Sequence, residues 1–235
     1  MRILLTDQFI RTAVETISNH IKVSLIDQGY FVLGLSGGNT PRPIYEALAD
    51  EEGIDWSKVI ITFGDERAVP PDHEDSNYKM AYDNLLSKID IPDANVLRMK
   101  GELDPEVAAK HYEEELIEAA DKLGVETFRH DLLLLGLGDD GHTASLFPGT
   151  KALHETDRLC VANVVPQLNT TRLTLTYPII NDAKHILFLV SGTNKSSVVS
   201  EVITNTNNHP ASRIAPSEGQ ITWLLDWMPK NFKSA

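Results

Sequence analysis

Residues 131–149 read DLLLLGLGDDGHTASLFPG, and the fold turns on how the glycines in this stretch are used. The apolar run Leu132 to Leu135 has the length and continuity of a strand buried on both faces. Behind it, Gly136, Gly138 and Gly141 match G-x-G-x-x-G, the dinucleotide-binding fingerprint. That fingerprint needs a long helix to begin inside the motif, whereas Pro148 and Gly149 break the chain too soon. The stretch also lies past the middle of the chain, with too little strand and helix alternation behind it to build a second nucleotide-binding half. The glycines therefore read as a flexible turn that presents Asp140 and His142 at a strand end.

Outward from this strand, the hydrophobic pattern alternates. Phe9, Ile10, Ala13, Val14, Ile17, Ile21 and Leu25 recur at helical spacing and predict one amphipathic helix over 7–28, ended by Gly29. YFVLGL (30–35) and VIITF (59–63) read as buried strands, with PRPIYEALADE (41–51) as the helix between them. Further helices are expected over 76–88 and after Asp104 and Pro105, which suit a cap and a first turn. A short strand is expected around NVLRM (95–99). Strands separated by helices imply crossover connections and a largely parallel sheet covered on both sides. Beyond residue 150, RLCVANVV, TRLTLTY and HILFLV are close enough together for some antiparallel pairing, so a mixed sheet is expected. A helix over 194–204 and a strand over 221–225 complete the pattern. No linker or repeat divides the chain, which predicts a single domain over 1–235. The acidic run HYEEELIEAADK reads as the solvated face of a helix.

Bulk properties narrow the function. The chain has 235 residues, 42% hydrophobic, enough for a sizeable core. A formal charge of −13 argues against nucleic-acid or anionic-membrane surfaces, though a small anion can still bind where a few cations and backbone amides converge. Cys160 stands alone and reads as a small buried hydrophobe in a reducing compartment. MRILLTDQFI becomes polar far short of the ~20 residues of a membrane span, so a cytoplasmic protein is expected. The tryptophans at 56, 223 and 227 are expected in the core or cleft wall.

Ligands of open α/β sheets collect at the carboxyl ends of strands. One such junction is LGLSGGNTPRPIYEAL, where Ser36, Gly37, Gly38, Asn39 and Thr40 precede Pro41 and a helix start. Glycine lets backbone approach a ligand, and a helix N-terminus offers unpaired amides suited to a phosphate or sugar oxygen; Thr40 could equally be a plain N-cap. A second junction is ITFGDERAVPPDHEDSNY. Its Arg67 could hold a phosphate bidentately, while Asp65 or Glu66 could orient a hydroxyl or a histidine; a structural ion pair is the alternative. None of His20, His73, His111, His130, His154, His185 and His209 has a metal-ligand partner at helical spacing, and no Cys-x-x-Cys occurs, so no metal is implied. The nucleophile elbow G-x-S-x-G is absent, which leaves a covalent serine mechanism unsupported.

Together, SGGNTP, FGDERAVPPDHEDSNY and GLGDDGHTASLFPG resemble the three signature stretches of the 6-phosphogluconolactonase family, in the same order. The resemblance continues through RLTLTYPIIN, FLVSGTNKSSVV, HPASRIAP and TWLLD and covers nearly the whole chain. It implies a three-layer αβα fold related to glucosamine-6-phosphate deaminase and ribose-5-phosphate isomerase. It also implies cofactor-free hydrolysis of 6-phospho-D-glucono-1,5-lactone, a small sugar-phosphate lactone of the oxidative pentose phosphate pathway. By the same resemblance, His142 takes the general-base position. Arg67, Arg172 and Lys195 take basic positions near the phosphate, with Ser36, Gly37 and Gly38 in the adjoining loop. Asp65 and Asp140 take acidic positions near the reacting centre, either of which could orient His142. Two departures are Asn39, where the family often has Ser, and Asp139, where Pro is common. A sugar-phosphate deaminase or isomerase, or a non-catalytic sugar-phosphate sensor, are the alternatives on this fold. TASLFPG after His142 resembles the lactonases, whereas the deaminases resemble IAFNEP. Oligomeric state is not legible.

Overall fold

In the computed structural model, which describes residues 1–228, strands and helices alternate much as the hydrophobic pattern predicts. β1 (Arg2–Leu5), α1 (Phe9–Asp27), β2 (Phe31–Leu35), α2 (Arg42–Ala49) and β3 (Val59–Phe63) form the first third. β4 (Asp65–Arg67), α3 (Asn77–Asn84), α4 (Pro105–Leu123) and β5 (Leu132–Leu135) follow. The remainder holds β6 (Cys160–Val165), β7 (Thr170–Leu175), α5 (Tyr177–Asp182), β8 (His185–Val190), α6 (Ser196–Ile203) and β9 (Gln220–Leu225). The helix ends follow local chemistry. Asp104 accepts hydrogen bonds from the N–H groups of Glu106 and Val107 at the start of α4, and Gly124 ends that helix in the left-handed region at φ 70°.

Six strands form one parallel sheet in the order β1-β9-β8-β5-β2-β3. Each central strand is apolar on both sides because each face is covered. Leu133, Leu135, Ile186 and Phe188 face a core shared with α4, α5 and α6; Leu132, Leu134, Leu187 and Leu189 face the other, shared with α1, α2 and α3. These are the helix, sheet and helix layers of the expected αβα fold.

The structure departs from the sequence reading at several points. The antiparallel strands do not join the main sheet: β4, β7 and β6 form a separate three-stranded sheet whose Cys160, Leu173 and Leu175 join the α4 side of the core. NVLRM is no strand, because only Val96 reaches the sheet edge, through an isolated bridge to Ile61. β1 and β4 were not anticipated, and neither was α5. Cys160 is fully buried, and burial pushes its thiol up to about 12. Trp56 and Trp223 are core residues, Trp223 stacked on Phe188 at 4.0 Å, and Trp227 packs partly buried against the same core.

Two histidines make the fold sensitive to acid. Burial lowers His130 to about 3 where it hydrogen-bonds Thr62, and burial lowers His20 to about 4, with the neighbouring His185 acting the same way. Both are depressed below their ordinary value, so protons bind the unfolded chain first. Their stabilisation is complete above about pH 6.5 and is lost as pH falls toward the folded values. Each pH unit below about 6.5 removes up to about 1.4 kcal/mol through His130. The urea midpoint of the wild type therefore falls between pH 7 and pH 5, and His130→Gln has a shallower slope. Equal slopes in the two proteins would remove His130 from this account.

Candidate active site

β8, β5, β2 and β3 are neighbours in the sheet, and their carboxyl ends all open on one cleft. From β2 the chain first adds β3 on one side and later β5 on the other, so the crevice lies where strand order reverses. Ser36, Gly37, Gly38, Asn39 and Thr40 after β2, Asp65 and Arg67 after β3, Gly136 to Gly138 and His142 to Ala144 after β5, and Lys195 after β8 surround a cavity of about 340 Å³. A second lobe of about 430 Å³ adjoins it, walled by Asp140, Ser145, Phe147, Gln167, Leu168 and Arg172. Asp65, Arg67, His142 and Ala144 line both lobes. Each volume is in the range that encloses a small sugar phosphate.

His142 sits on the turn that follows β5. Its Nδ1 lies 2.6 Å from Asp140 Oδ1, and the same oxygen accepts the His142 backbone N–H at 3.1 Å. Burial acts to raise the Asp140 carboxyl, but these hydrogen bonds and the charge of the imidazole outweigh it and hold the group below the usual carboxylate range. A carboxylate only accepts, so a neutral His142 carries its proton on Nδ1 and keeps a lone pair on Nε2. Nε2 has no hydrogen-bond partner among the described residues. The ring stacks on Phe147 with centroids 3.9 Å apart, which fixes its plane.

The glycines make this geometry possible. A Cβ on Gly138 would lie 2.1 Å from His142 Cε1 and Nδ1 and 2.9 Å from Asp140 Oδ1. Gly141, at φ +77°, closes the turn. No helix begins in the motif, in keeping with its reading as a turn. Gly138→Ala must displace the imidazole, and a displacement of about 1 Å is enough to cost about 10²-fold in kcat. That loss, with KM within a fewfold of wild type and a cooperative melt, is the expected result; an unchanged kcat would show that the ring position is not critical.

The charged group after β3 divides by strand alternation. Glu66 turns inward, 2% exposed, and accepts hydrogen bonds from Ser76 Oγ and from the N–H groups of Arg67, Asn77 and Tyr78. Burial raises this carboxyl despite the four donors. Glu66 thus closes the N-terminus of α3 and orients no histidine or ligand, against the sequence reading. Asp65 and Arg67 face the cleft instead. Asp65 accepts from Ser145 Oγ at 2.6 Å and from Asn77 Nδ2 at 3.2 Å, so Asp140, not Asp65, is the carboxylate on His142.

The cations approach from three elements. Arg67 and Arg172 are directly opposed across the β4–β7 ladder, and the Nε of each is buried without a hydrogen-bond partner. Burial lowers the pKa of Arg172, and the charge of Arg67 adds to this. Arg67 also donates through Nη1 to the Asp75 carbonyl. Like charges placed face to face repel, and an anion between them would relieve that repulsion. Lys195 lines the first lobe and is held by Asp139 at 2.5 Å.

In the β2 loop, the Ser36 N–H donates to Tyr45 Oη, which donates back to the Ser36 carbonyl. Gly37 is needed for close approach, since a Cβ there would sit 1.9 Å from Asn77 Oδ1. Thr40 is not the cap of α2: the capping position is Pro41, and no side chain bonds the helix start. Apart from Glu66, the eleven residues that sequence assigns to catalysis or phosphate binding all border one of the two lobes. Sequence reasoning missed Asn77, Ser145, Gln167 and Leu168 as members of the site. Among the described residues no group of three or more His, Cys, Asp or Glu is arranged to hold a metal, and no helix is long and apolar enough to cross a membrane.

Comparison with known proteins agrees with this architecture. The family described as glucosamine-6-phosphate isomerases/6-phosphogluconolactonase matches residues 5–223. A 6-phosphogluconolactonase from Synechocystis sp. is 43% identical over 92% of this chain and 90% of its own length. One from Rattus norvegicus is 37% identical over 85% of this chain and 79% of its own length. The crystal structure of a 6-phosphogluconolactonase from Thermotoga maritima superposes with a TM-score of 0.85 at 30% identity, covering 95% of this chain and 98% of that one. With its strand order, its cleft and its motif spacing all accounted for, this chain belongs to the glucosamine-6-phosphate isomerase/6-phosphogluconolactonase family.

Proposed function

We propose that the protein hydrolyses 6-phospho-D-glucono-1,5-lactone to 6-phosphogluconate, with His142 as general base. The observation that carries the reading is the His142–Asp140 pair, which leaves Nε2 unbonded in a cleft that also holds Arg67, Arg172 and Lys195. A lactone is an activated ester, so the attacking water needs a base and no cofactor. As water adds to the ring carbonyl carbon, Nε2 takes one proton and Asp140 stabilises the imidazolium that forms. The tetrahedral intermediate collapses with cleavage of the bond to the ring oxygen. That oxygen receives the proton from His142 and becomes a hydroxyl, while the new carboxylic acid ionises.

Arg67, Lys195 and the Ser36 to Thr40 loop hold the phosphate, and Arg172 adds its charge across the β4–β7 ladder. Asp65, fixed by Ser145 and Asn77, carries negative charge beside the reacting centre and orients substrate hydroxyls. The partner is this small molecule and not nucleic acid, in line with the charge of −13. We place the reaction in the cytoplasm and take residues 1–235 as one catalytic unit.

The wild-type protein in chelator-treated buffer is expected to accelerate ring opening of freshly generated lactone well above the spontaneous rate and to leave glucosamine-6-phosphate unchanged. Release of ammonia from glucosamine-6-phosphate, without lactone hydrolysis, would assign the deaminase chemistry instead.

A further inference from the structure

The turn that carries Asp140 and His142 is held from behind by a segment 69 residues away in sequence. Its carbonyls at Asp140 and Gly141 both point toward residues 209–211. Ala211 N–H donates to the Gly141 carbonyl at 3.0 Å, and His209 Nδ1 lies 3.1 Å from the Asp140 carbonyl. The His209 ring lies flush against the turn: a Cβ on Gly141 would come within 2.4 Å of Nδ1. On its far side, His209 Nε2 lies 2.7 Å from Glu201 Oε2 on α6.

We infer that His209, anchored by Glu201, is a positioning residue for the lactonase reaction: it donates from both ring nitrogens and so fixes the turn on which Asp140 holds His142. The double donation follows from the partners. A peptide carbonyl and a carboxylate both accept only, so a neutral imidazole would face one of them with a lone pair. Both contacts are satisfied only by the imidazolium. Ser197 Oγ at 3.0 Å and Asn207 Nδ2 at 2.9 Å also donate to Glu201, and with His209 as the leading cause they hold its carboxyl down to about 2. The charged groups facing His209 are thus Glu201 from α6 and, through the turn, Asp140 with its partner His142.

The arrangement has a functional reason. The hydrogen bond between Asp140 and His142 spans only two residues, so a small rotation of the Asp140 peptide swings the carboxylate and the imidazole together. His209 acts on that peptide directly. The region around α6 holds the turn twice, through Lys195 on Asp139 and through Glu201 and His209 on Asp140.

The proposal rests on the lactonase reading but is tested with one readout that does not. Nitrogen-15 NMR of the histidine rings at neutral pH is expected to show both nitrogens of His209 protonated in the wild type. In Glu201→Gln, the amide can donate to Nε2, and one nitrogen is expected to lose its proton. A wild-type His209 with one unprotonated nitrogen would overturn the double donation whether or not the lactone is turned over. In kinetics, His209→Leu is expected to lower kcat by about tenfold with KM within twofold, because the misplaced groups act in the chemical step. His209→Asn, whose Nδ2 can take the place of Nδ1, is expected to restore most of that loss. If Leu and Asn are equally impaired, or neither is impaired, the positioning role is overturned; failure of the wild type to hydrolyse the lactone would instead overturn the proposed function.

Discussion

His142→Ala lowers kcat by about 10²–10⁴-fold and leaves KM close to the wild-type value. The range is what a positioned general base contributes, and the split follows from where the residue acts. In the proposed mechanism His142 acts on the attacking water and the ring oxygen, whereas ground-state affinity is assigned to Arg67, Arg172, Lys195 and the β2 loop. Asp140→Asn tests the same centre from behind. An amide at that position can present its N–H to Nδ1, which forces the imidazole proton onto Nε2 and blocks the base. Its kcat should therefore fall almost as far as that of the alanine variant. Steady-state kinetics on freshly generated lactone separate these outcomes, and a rise in KM with kcat intact would move His142 from chemistry to binding.

The second large effect concerns Arg172 and runs in opposite directions for binding and stability. Arg172→Met raises KM by about 10- to 100-fold, the worth of a hydrogen bond to a charged group. The same substitution raises the melting temperature of the ligand-free protein by about 2–4 °C, corresponding to about 1 kcal/mol. Arg172 is directly opposite Arg67, its Nε is buried without a partner, and no ion pair holds its guanidinium among the described residues. Opposed like charges and an unsatisfied buried donor both destabilise, and methionine removes both while filling the space. Added 6-phosphogluconate should raise the melting temperature of the wild type more than that of the variant. A variant that is less stable without ligand, with unchanged KM, would make Arg172 a structural residue.

The strands β2, β3 and β5 are legible because burial on both faces leaves continuous apolar runs. β4 is not, since it consists of Asp65, Glu66 and Arg67, and its pairing with β7 depends on the rest of the fold. Missing that strand is also why Glu66 was grouped with its neighbours. Once β4 is recognised, the two-residue alternation sends Glu66 to the α3 N-terminus and Asp65 and Arg67 to the cleft. The separation of the antiparallel sheet from the parallel one was not legible either, because apolar runs carry no record of which sheet edge they join. Within the site, Asp140 beside His142 could be foreseen from their spacing, yet so could Asp65, until Ser145 and Asn77 were seen to occupy it. His209 and Glu201 are not legible because their link to the turn that carries Asp140 and His142 is entirely tertiary.

The most direct test of the account is the rate of 6-phosphogluconate formation from fresh lactone in chelator-treated buffer, compared for wild type, His142→Ala and no protein. The wild type is expected to accelerate the reaction strongly, and the variant to stay close to the spontaneous rate and be partly restored by added imidazole. Equal acceleration by wild type and variant, or none by the wild type, would contradict the account.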